Sequence, residues 1–245
     1  MKFGFPKLFG ILLCSCCVAT NVANSNGLGD KIVKYANSFI GTPYDRIPIG
    51  LYVQSRKLII DDEIDCMYLV FRSVPLALAD GDNKKAFDIA CDKMFHDKCK
   101  LDEKGLVTNY ENRFDYSEDM VASGKWGKSI YKNDEMSIME GSRMYDKFYY
   151  VKSSDLISSK KLQGRIKNGD ILFLVKHPEL RSKKTHAMIG HLGILEVGND
   201  GEIYLIHASG VKRYDVPQGK VKKVKLVDYL MEKKDRWAGV HITRI

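Results

Sequence analysis

The stretch HLGILEVGNDGEIYLIHAS (residues 191–209) predicts a β-hairpin, and with it the fold class. Its two halves, HLGILEVG and EIYLIHAS, are short runs rich in Ile, Leu and Val, a composition typical of buried strands. The segment NDG (199–201) between them is a tight-turn sequence. A third run of the same kind, GDILFLVK (169–176), comes before the hairpin. We therefore expect the C-terminal part of the chain to form an antiparallel sheet.

Further segments extend this sheet on both sides of the hairpin. KKVKL (222–226) and AGVHITRI (238–245) have strand composition, and VDYLMEKK (227–234) between them is helical in character. Upstream, KFYYV (147–151) predicts another strand.

The N-terminal half of the chain predicts helices instead. In GLGDKIVKYANSFIGTPYD (27–45), Asp30 is a candidate cap and Gly41 ends the helix, whose apolar face is formed by Ile32, Ala36, Phe39 and Ile40. A second helix begins near Asp65, and we expect Pro75 to kink it. Its buried stripe is predicted to be Met67, Val70, Val74 and Leu78. Helices followed by an antiparallel sheet predict an α+β fold.

Three residues of this layout combine into a candidate catalytic group. Cys66 stands in the first turn of the second helix, directly behind Asp65. His191 and His207 lie in neighbouring strands of a hairpin centred on residue 199, so they should face one another, or nearly so, on one side of the sheet. A helix N-terminus and an adjacent imidazolium both favour a thiolate. Cys66 is thus a candidate nucleophile, His191 the base, and His207 the group that orients it.

Each of these residues also has an ordinary structural interpretation, as a small buried residue or a satisfied polar one, and only their combination favours catalysis. A zinc site is the competing interpretation of His191 and His207, with His186 as a third ligand. Zinc needs three or four converging ligands, and no HExxH or CxxC pattern supports it. We therefore expect no metal and no cofactor, because cysteine and histidine suffice for amide hydrolysis.

Short motifs follow one another in a consistent order from about residue 30 to the C-terminus. They are FIGTPY (39–44), DC (65–66), NRFDYSEDM (112–120), YYVKSSDL (149–156), IKNGDILFLV (166–175), HLGIL (191–195), YLIHAS (204–209) and DYL (228–230). In this order and spacing they resemble the NlpC/P60 superfamily of papain-like cell-wall cysteine hydrolases. Within it, the chain is most similar to the N-acetylmuramoyl-L-alanine amidase-like branch.

The resemblance implies a fold, a reaction and a site. The fold would be papain-like, with N-terminal helices packed on a central antiparallel sheet and the nucleophile at a helix N-terminus. The site would use Cys66, His191 and His207 as a triad, with Tyr44 lining it and Asp65 contacting the substrate. The backbone N–H of Cys66 is a natural oxyanion donor, because first-turn N–H groups have no partner within the helix.

The implied reaction is hydrolysis of peptidoglycan or muropeptides at the N-acetylmuramoyl-L-alanine bond, through an acyl-enzyme. Two alternatives stay open: an endopeptidase that uses the same triad to cut between γ-D-glutamate and a diamino acid, and an inactive wall-binding module. The chain departs from the family at DCMYLVF (65–71), where Tyr68 could alter the pocket, and residues 82–100 match no family segment.

The N-terminus predicts export. Residues 1–23 combine early lysines, an apolar stretch and small polar residues, the layout of a secretory signal peptide. LCSC (13–16) also loosely resembles a lipoprotein signal with Cys16 as the lipidated residue, and only that variant would attach the protein to a membrane. We expect residues 24–245 to form a single domain in the periplasm or cell envelope.

Three cysteines remain after the signal segment, which is an odd number for an oxidising compartment. Cys91 and Cys99 are close enough in sequence to close a short loop, which would leave Cys66 unpaired.

The formal net charge of +8 favours anionic partners. The most basic stretch, VKRYDVPQGKVKKVKL (211–226), is interpreted as a solvated edge strand, since lysines on edges block aggregation. No nucleic-acid reader motif is present, so we expect no nucleic acid partner. The expected form is a monomer whose partner is its wall substrate.

Overall fold

A computed structural model describes residues 27–141 and 143–245. The predicted signal segment 1–23 and the candidate lipidation site Cys16 lie outside these residues. The helices are α1 (Leu28–Ser38), α2 (Leu51–Gln54), α3 (Cys66–Leu78), α4 (Asn83–Lys93), α5 (Ser117–Ser123), α6 (Ser153–Ser158), α7 (Lys160–Gln163) and α8 (Leu226–Glu232). The strands are β1 (Lys128–Ser129), β2 (Ser137–Glu140), β3 (Lys147–Lys152), β4 (Ile171–Lys176), β5 (Ile189–Val197), β6 (Ile203–Ser209), β7 (Lys220–Lys225) and β8 (Trp237–Arg244).

The strands form one antiparallel sheet in the order β2-β3-β8-β4-β5-β6-β7, with β1 paired to β8. This confirms the predicted mixed architecture with an antiparallel sheet. β7 is a terminal strand of that order, which agrees with the interpretation of the basic stretch as an edge. Across the described ranges, no helix is long and apolar enough to cross a bilayer.

Helices cover both faces of the sheet, which explains why the central strands read as continuous apolar runs rather than alternating ones. On one face α1 and α3 pack against Phe173, Ile194 and Ile206. On the other face α6 and α8 cover Leu172 and Leu205. Two successive residues of a central strand are therefore both buried, one in the core beneath α1 and α3 and the other in the core beneath α6 and α8.

Helix α3 is the central element of the first layer. The helix begins next to Asp65, as the sequence predicts, with Asp65 as its N-cap, and it continues through Pro75 to Leu78. The predicted single stripe is wrong, because all residues from Tyr68 to Ala77 are buried. The sheet covers one side of the helix while α1 and α4 cover others.

The ends of two predicted helical faces are also corrected. Asp30 lies in the first turn of α1 and does not cap it, since the cap position is Gly27. Ile40 and Leu78 are exposed because each lies beyond or at the last turn of its helix.

The β5–β6 hairpin turns one residue later than expected. Ile194 lies opposite Ile206, so the centre is residue 200 rather than 199. The turn contains Gly201 at φ 77°, a conformation that suits glycine. Extending this register by one residue places His207 opposite Gly193. His207 is therefore diagonal to His191, two residues before Gly193 in β5.

Strand β5 begins at Ile189, whereas the sequence placed His191 at the strand start. Leu174 lies opposite His191 and Val175 opposite Ile189, so Gly190 is an extra residue in β5. A bulge of this kind bends a strand and changes the direction of the side chains beside it.

Candidate active site

Hydrogen bonds to the first turns of α3 hold the segment before Cys66 in place. Asp65 accepts a hydrogen bond from the Tyr68 N–H at 2.9 Å. Arg72, one turn further on, donates two hydrogen bonds of 2.7 Å to Asp61, and the Tyr68 hydroxyl donates a third at 3.2 Å. Tyr68, where the sequence departs from the family that it resembles, is buried, and its hydroxyl binds the segment before Cys66.

Cys66 is the free thiol among the three cysteines that the structure describes, because Cys91 and Cys99 form a disulfide. It is half-buried at the first position of α3. The backbone N–H groups of Leu192 and Met67 face the sulfur. The thiol of the helix thus meets β5 at the residue after His191.

The sulfur lies where β5 and β6 part. Leu195 exchanges backbone hydrogen bonds with the β4 side, so the N–H of Leu192 points to the β6 side. β5 pairs with β6 from Ile194 to Val197. Before Ile194, the Leu192 N–H therefore faces the sulfur instead of a neighbouring strand.

The two histidines form one hydrogen-bonded pair. His191 Nε2 and His207 Nδ1 are 2.7 Å apart, on the same face of the sheet as the hairpin predicts. The His191 ring stacks on Trp237 at 6.4 Å between centroids, and the His207 ring meets Tyr229 edge to face at 5.1 Å. Because Nε2 of His191 is engaged by His207, Nδ1 is the nitrogen of His191 that this hydrogen bond leaves open.

The electrostatics of the site favour a neutral resting pair. Burial, and after it the charge of Asp65, raise the pKa of Cys66 to about 12. Burial, and after it the charge of Arg236, lower the pKa of His191 to about 4. Burial, followed by the neighbouring His191, lowers the pKa of His207 to about 2. At neutral pH the site therefore holds a protonated thiol and two neutral imidazoles.

Gly193 makes the diagonal histidine pair possible. A Cβ at this position would lie 2.5 Å from the carbonyl oxygen of Ile206 and 3.0 Å from the Cβ of His207. The missing side chain therefore lets β6 approach β5 closely enough to bring the two imidazoles together. The sequence contains this signal in HLGIL, but only the register shows which neighbour the glycine serves.

Two clefts meet at the site. The cysteine cleft is lined by Cys66, Tyr44, Asp65, Gly190 and Lys212, among others, and has a volume of about 280 Å³. The histidine cleft, of about 610 Å³, is lined by residues that include His191, His207, Lys222, Tyr229 and Arg236. The clefts adjoin where the Tyr44 ring packs directly against the backbone of Gly210.

The predicted substrate contacts Tyr44 and Asp65 both line the cysteine cleft. Tyr44 is buried, and burial raises the pKa of its hydroxyl. Asp65 already has partners for both carboxylate oxygens, since one accepts the Tyr68 N–H and Lys212 Nζ lies 3.0 Å from the other. Lys212, which the sequence placed only in the basic stretch 211–226, thus covers the carboxylate beside Cys66.

Glu118 is a second residue that the sequence reasoning missed. It is fully buried, and its carboxylate accepts the backbone N–H groups of Met188 and Ile189. Burial raises its pKa. Glu118 thereby holds the start of β5, immediately before the bulge that aims His191. It belongs to the segment NRFDYSEDM, but that motif by itself does not indicate the contact.

The structure does not support the competing zinc interpretation. In the described part of the chain, no three His, Cys, Asp or Glu side chains lie close enough together to hold a metal ion. His186 is exposed in the loop before β5 and has a positive φ of 50°.

Comparisons with known proteins find the fold but no close relative. No protein-family profile and no curated protein matches the chain. A solved N-acetylmuramoyl-L-alanine amidase from Bacteroides uniformis is similar over 89% of this chain and 98% of its own, with a TM-score of 0.62 and 16% identity. A Legionella pneumophila protein of the family DUF1460 is similar over 88% of each chain, with a TM-score of 0.64 and 19% identity. A Bacteroides fragilis protein described as a proposed xylanase is similar over 86% of this chain and 99% of its own, with a TM-score of 0.60 and 18% identity. The chain therefore shares its fold with amidase-like and DUF1460 structures.

Proposed function

We propose that this chain is a cysteine-dependent amide hydrolase of the NlpC/P60 type, and that it cleaves the N-acetylmuramoyl-L-alanine bond of peptidoglycan or muropeptides. The observation that carries the proposal is the His191–His207 pair, 2.7 Å apart, one residue before the Leu192 N–H that faces the free thiol of Cys66 at a helix N-terminus. The structural likeness to amidases supports the reaction class at the level of the family.

The proposed reaction begins with a neutral thiol. The sulfur of Cys66 attacks the lactyl carbonyl carbon while Nδ1 of His191 takes the thiol proton. The backbone N–H of Cys66 stabilises the oxyanion. The C–N bond then breaks, and His191 returns the proton to the leaving amine of L-alanine. Water, deprotonated by His191, hydrolyses the thioester and releases the lactyl carboxylate and the thiol.

His207 suits the orienting role because it stays neutral throughout this cycle. Its pKa of about 2 leaves Nδ1 able to accept a hydrogen bond from Nε2–H of His191. That bond fixes the tautomer in which Nδ1 of His191 is the free base, and it persists when His191 becomes an imidazolium.

Export is part of the proposal. The Cys91–Cys99 disulfide is of a kind that persists in oxidising compartments, which supports a periplasmic or envelope location. Residues 1–23 would be the signal segment, with lipidation at Cys16 as the variant that anchors the protein. Mass spectrometry of the mature N-terminus from fractionated cells distinguishes a cleaved soluble protein from a lipidated one.

The test is mass spectrometry of muropeptides after incubation with the wild type and Cys66→Ala. Intact stem peptide released from the muramyl sugar by the wild type alone supports the amidase. A cut within the stem by the wild type alone moves the enzyme to the endopeptidase alternative. His186→Asn is the matched control, because it removes a histidine outside the pair and should keep full activity. Turnover above a few per cent in Cys66→Ala, or none in the wild type, would contradict the proposal.

A further inference from the structure

The histidine cleft carries a charge that its own residues do not balance. Lys222 enters it from the edge strand β7, directly opposite His207 in the sheet. Arg236 enters from the other side, on the turn before β8, and stacks on Trp237 with the guanidinium 4.7 Å from the ring centroid. Two cations from separate elements thus face the same pair of histidines.

The electrostatics of the histidines support this placement. After burial, the charges of Arg236 and Lys222 are both among the causes that lower the pKa of His191. Lys222 also contributes to the lowered pKa of His207. Both cations are therefore within electrostatic reach of the point where the bond would break.

The cysteine cleft is different, since its cations are already paired. Lys212 lies 3.0 Å from Asp65, and Arg113 lies 2.6 Å from Asp115. Within residues 27–141 and 143–245, no carboxylate lies within ion-pair distance of Lys222 or Arg236 in the way that these pairs do.

Two carboxylates also line the histidine cleft. Glu232 is paired with Lys233, and Asp228 belongs to the first turn of α8. Neither forms an ion pair with the cations that face the histidines, although Lys222, after Lys233, is among the charges that lower the pKa of Glu232. The cleft therefore offers two open positive groups, one of them a guanidinium, which is suited to a planar carboxylate.

We propose that Lys222 and Arg236 form an anion-binding subsite that takes a free carboxylate of the stem peptide, close to the scissile amide. This rests on the proposed function. The muramyl sugar carries no free carboxylate once its lactyl group is in amide linkage, whereas the stem peptide does. The peptide therefore occupies the histidine cleft, and the sugar lies on the side of the cysteine cleft.

The experiment compares two probes that differ in one group and whose γ-carboxyl is blocked as a methylamide, as the rest of the stem peptide blocks it. MurNAc-L-Ala-D-glutamate γ-methylamide, the acid, keeps a free α-carboxylate, and MurNAc-L-Ala-D-isoglutamine γ-methylamide, the amide, has no free carboxylate. Binding is measured by isothermal titration calorimetry with Cys66→Ala, which does not require turnover. The acid should bind about tenfold more tightly than the amide, the effect of one partly exposed charge-assisted contact. Adding Arg236→Gln or Lys222→Gln should remove most of that difference, and Arg236→Lys should restore part of it.

Lys234→Gln is the matched control, because it removes one positive charge from the same turn without altering the cleft. It should keep the full preference for the acid, and melting curves should show each variant folded. Equal binding of the two probes, or a preference that survives Arg236→Gln combined with Lys222→Gln, would overturn the subsite.

Turnover by the wild type separates this inference from the proposed function. Preference for the acid in Cys66→Ala without cleavage of either probe by the wild type supports the subsite and removes the amidase. Cleavage of both probes with equal KM removes the subsite and keeps the amidase.

Discussion

Replacing Gly193 by alanine tests whether the close approach of two strands creates the histidine pair. The new Cβ would lie 2.5 Å from the carbonyl oxygen of Ile206, where ordinary contact begins at 3.4 Å. The strands must therefore part by about 0.9 Å at this point, and the position of His207 moves with them. A misplacement of about 1 Å in a catalytic group costs on the order of 100-fold in rate. We expect kcat of Gly193→Ala to fall by about that factor.

The assay is steady-state release of stem peptide, with kcat and KM determined separately. Crowding of this kind also destabilises a protein by about 1–3 kcal/mol, so activity is measured well below the melting temperature. Gly198→Ala is the matched control at the other end of the same hairpin, where the three atoms nearest the new Cβ belong to the side chains of Asp200 and Tyr204. A folded Gly193→Ala with kcat within threefold of the wild type would refute the reasoning. Equal losses in both variants would assign the effect to the hairpin as a whole.

Three further predictions concern the protons and the contacts of the site. Because the pKa of Cys66 is about 12, its alkylation by iodoacetamide should accelerate about tenfold per pH unit from pH 6 to 9, and a plateau in that range would contradict the neutral resting pair. His207 has a folded pKa of about 2 against about 6.5 when unfolded, so the unfolded state binds the extra proton and stability is lost as pH falls below 6.5. In urea denaturation, lowering the pH from 7.5 to 5.0 should therefore cost the wild type about 2 kcal/mol more than His207→Gln, and equal losses would be inconsistent with a buried neutral His207. Glu118→Gln should lower kcat about tenfold with little change in KM, because a neutral amide oxygen accepts hydrogen bonds more weakly than the carboxylate that holds Met188 and Ile189. The exposed Glu111→Gln should match the wild type, and a wild-type kcat for Glu118→Gln would show that the start of β5 needs no carboxylate.

The strands and helix α3 were predictable because their signals are local. Runs such as ILFLV in β4 are apolar at every position since both faces of the sheet are covered, and Asp65 caps α3 through its own side chain. The single stripe on α3 failed for the same physical reason. A helix that is covered on several sides has no solvent-exposed face. The spacing of its apolar residues then does not show which side faces the sheet.

The site could be predicted only in part, because its geometry depends on register and on contacts distant in sequence. The two histidines were placed on one face, but the one-residue shift of the turn makes them diagonal and assigns Gly193 its function. Glu118 acts through a contact to Met188, 70 positions away. The sequence does not show that Arg236 lines the histidine cleft, because this position depends on the pairing of β8 with β4.

The proposed subsite also bears on how the resting site becomes reactive. Arg236 and Lys222 both weaken His191 as a base while the cleft is empty. In the proposed complex, a substrate carboxylate between them offsets those charges, so the pKa of His191 rises when the stem peptide is bound. Binding energy at a group that takes no part in the bond changes is then used in the chemical step. On this reasoning the carboxamide probe loses kcat as well as affinity, whereas a subsite that only anchors the peptide would change KM alone.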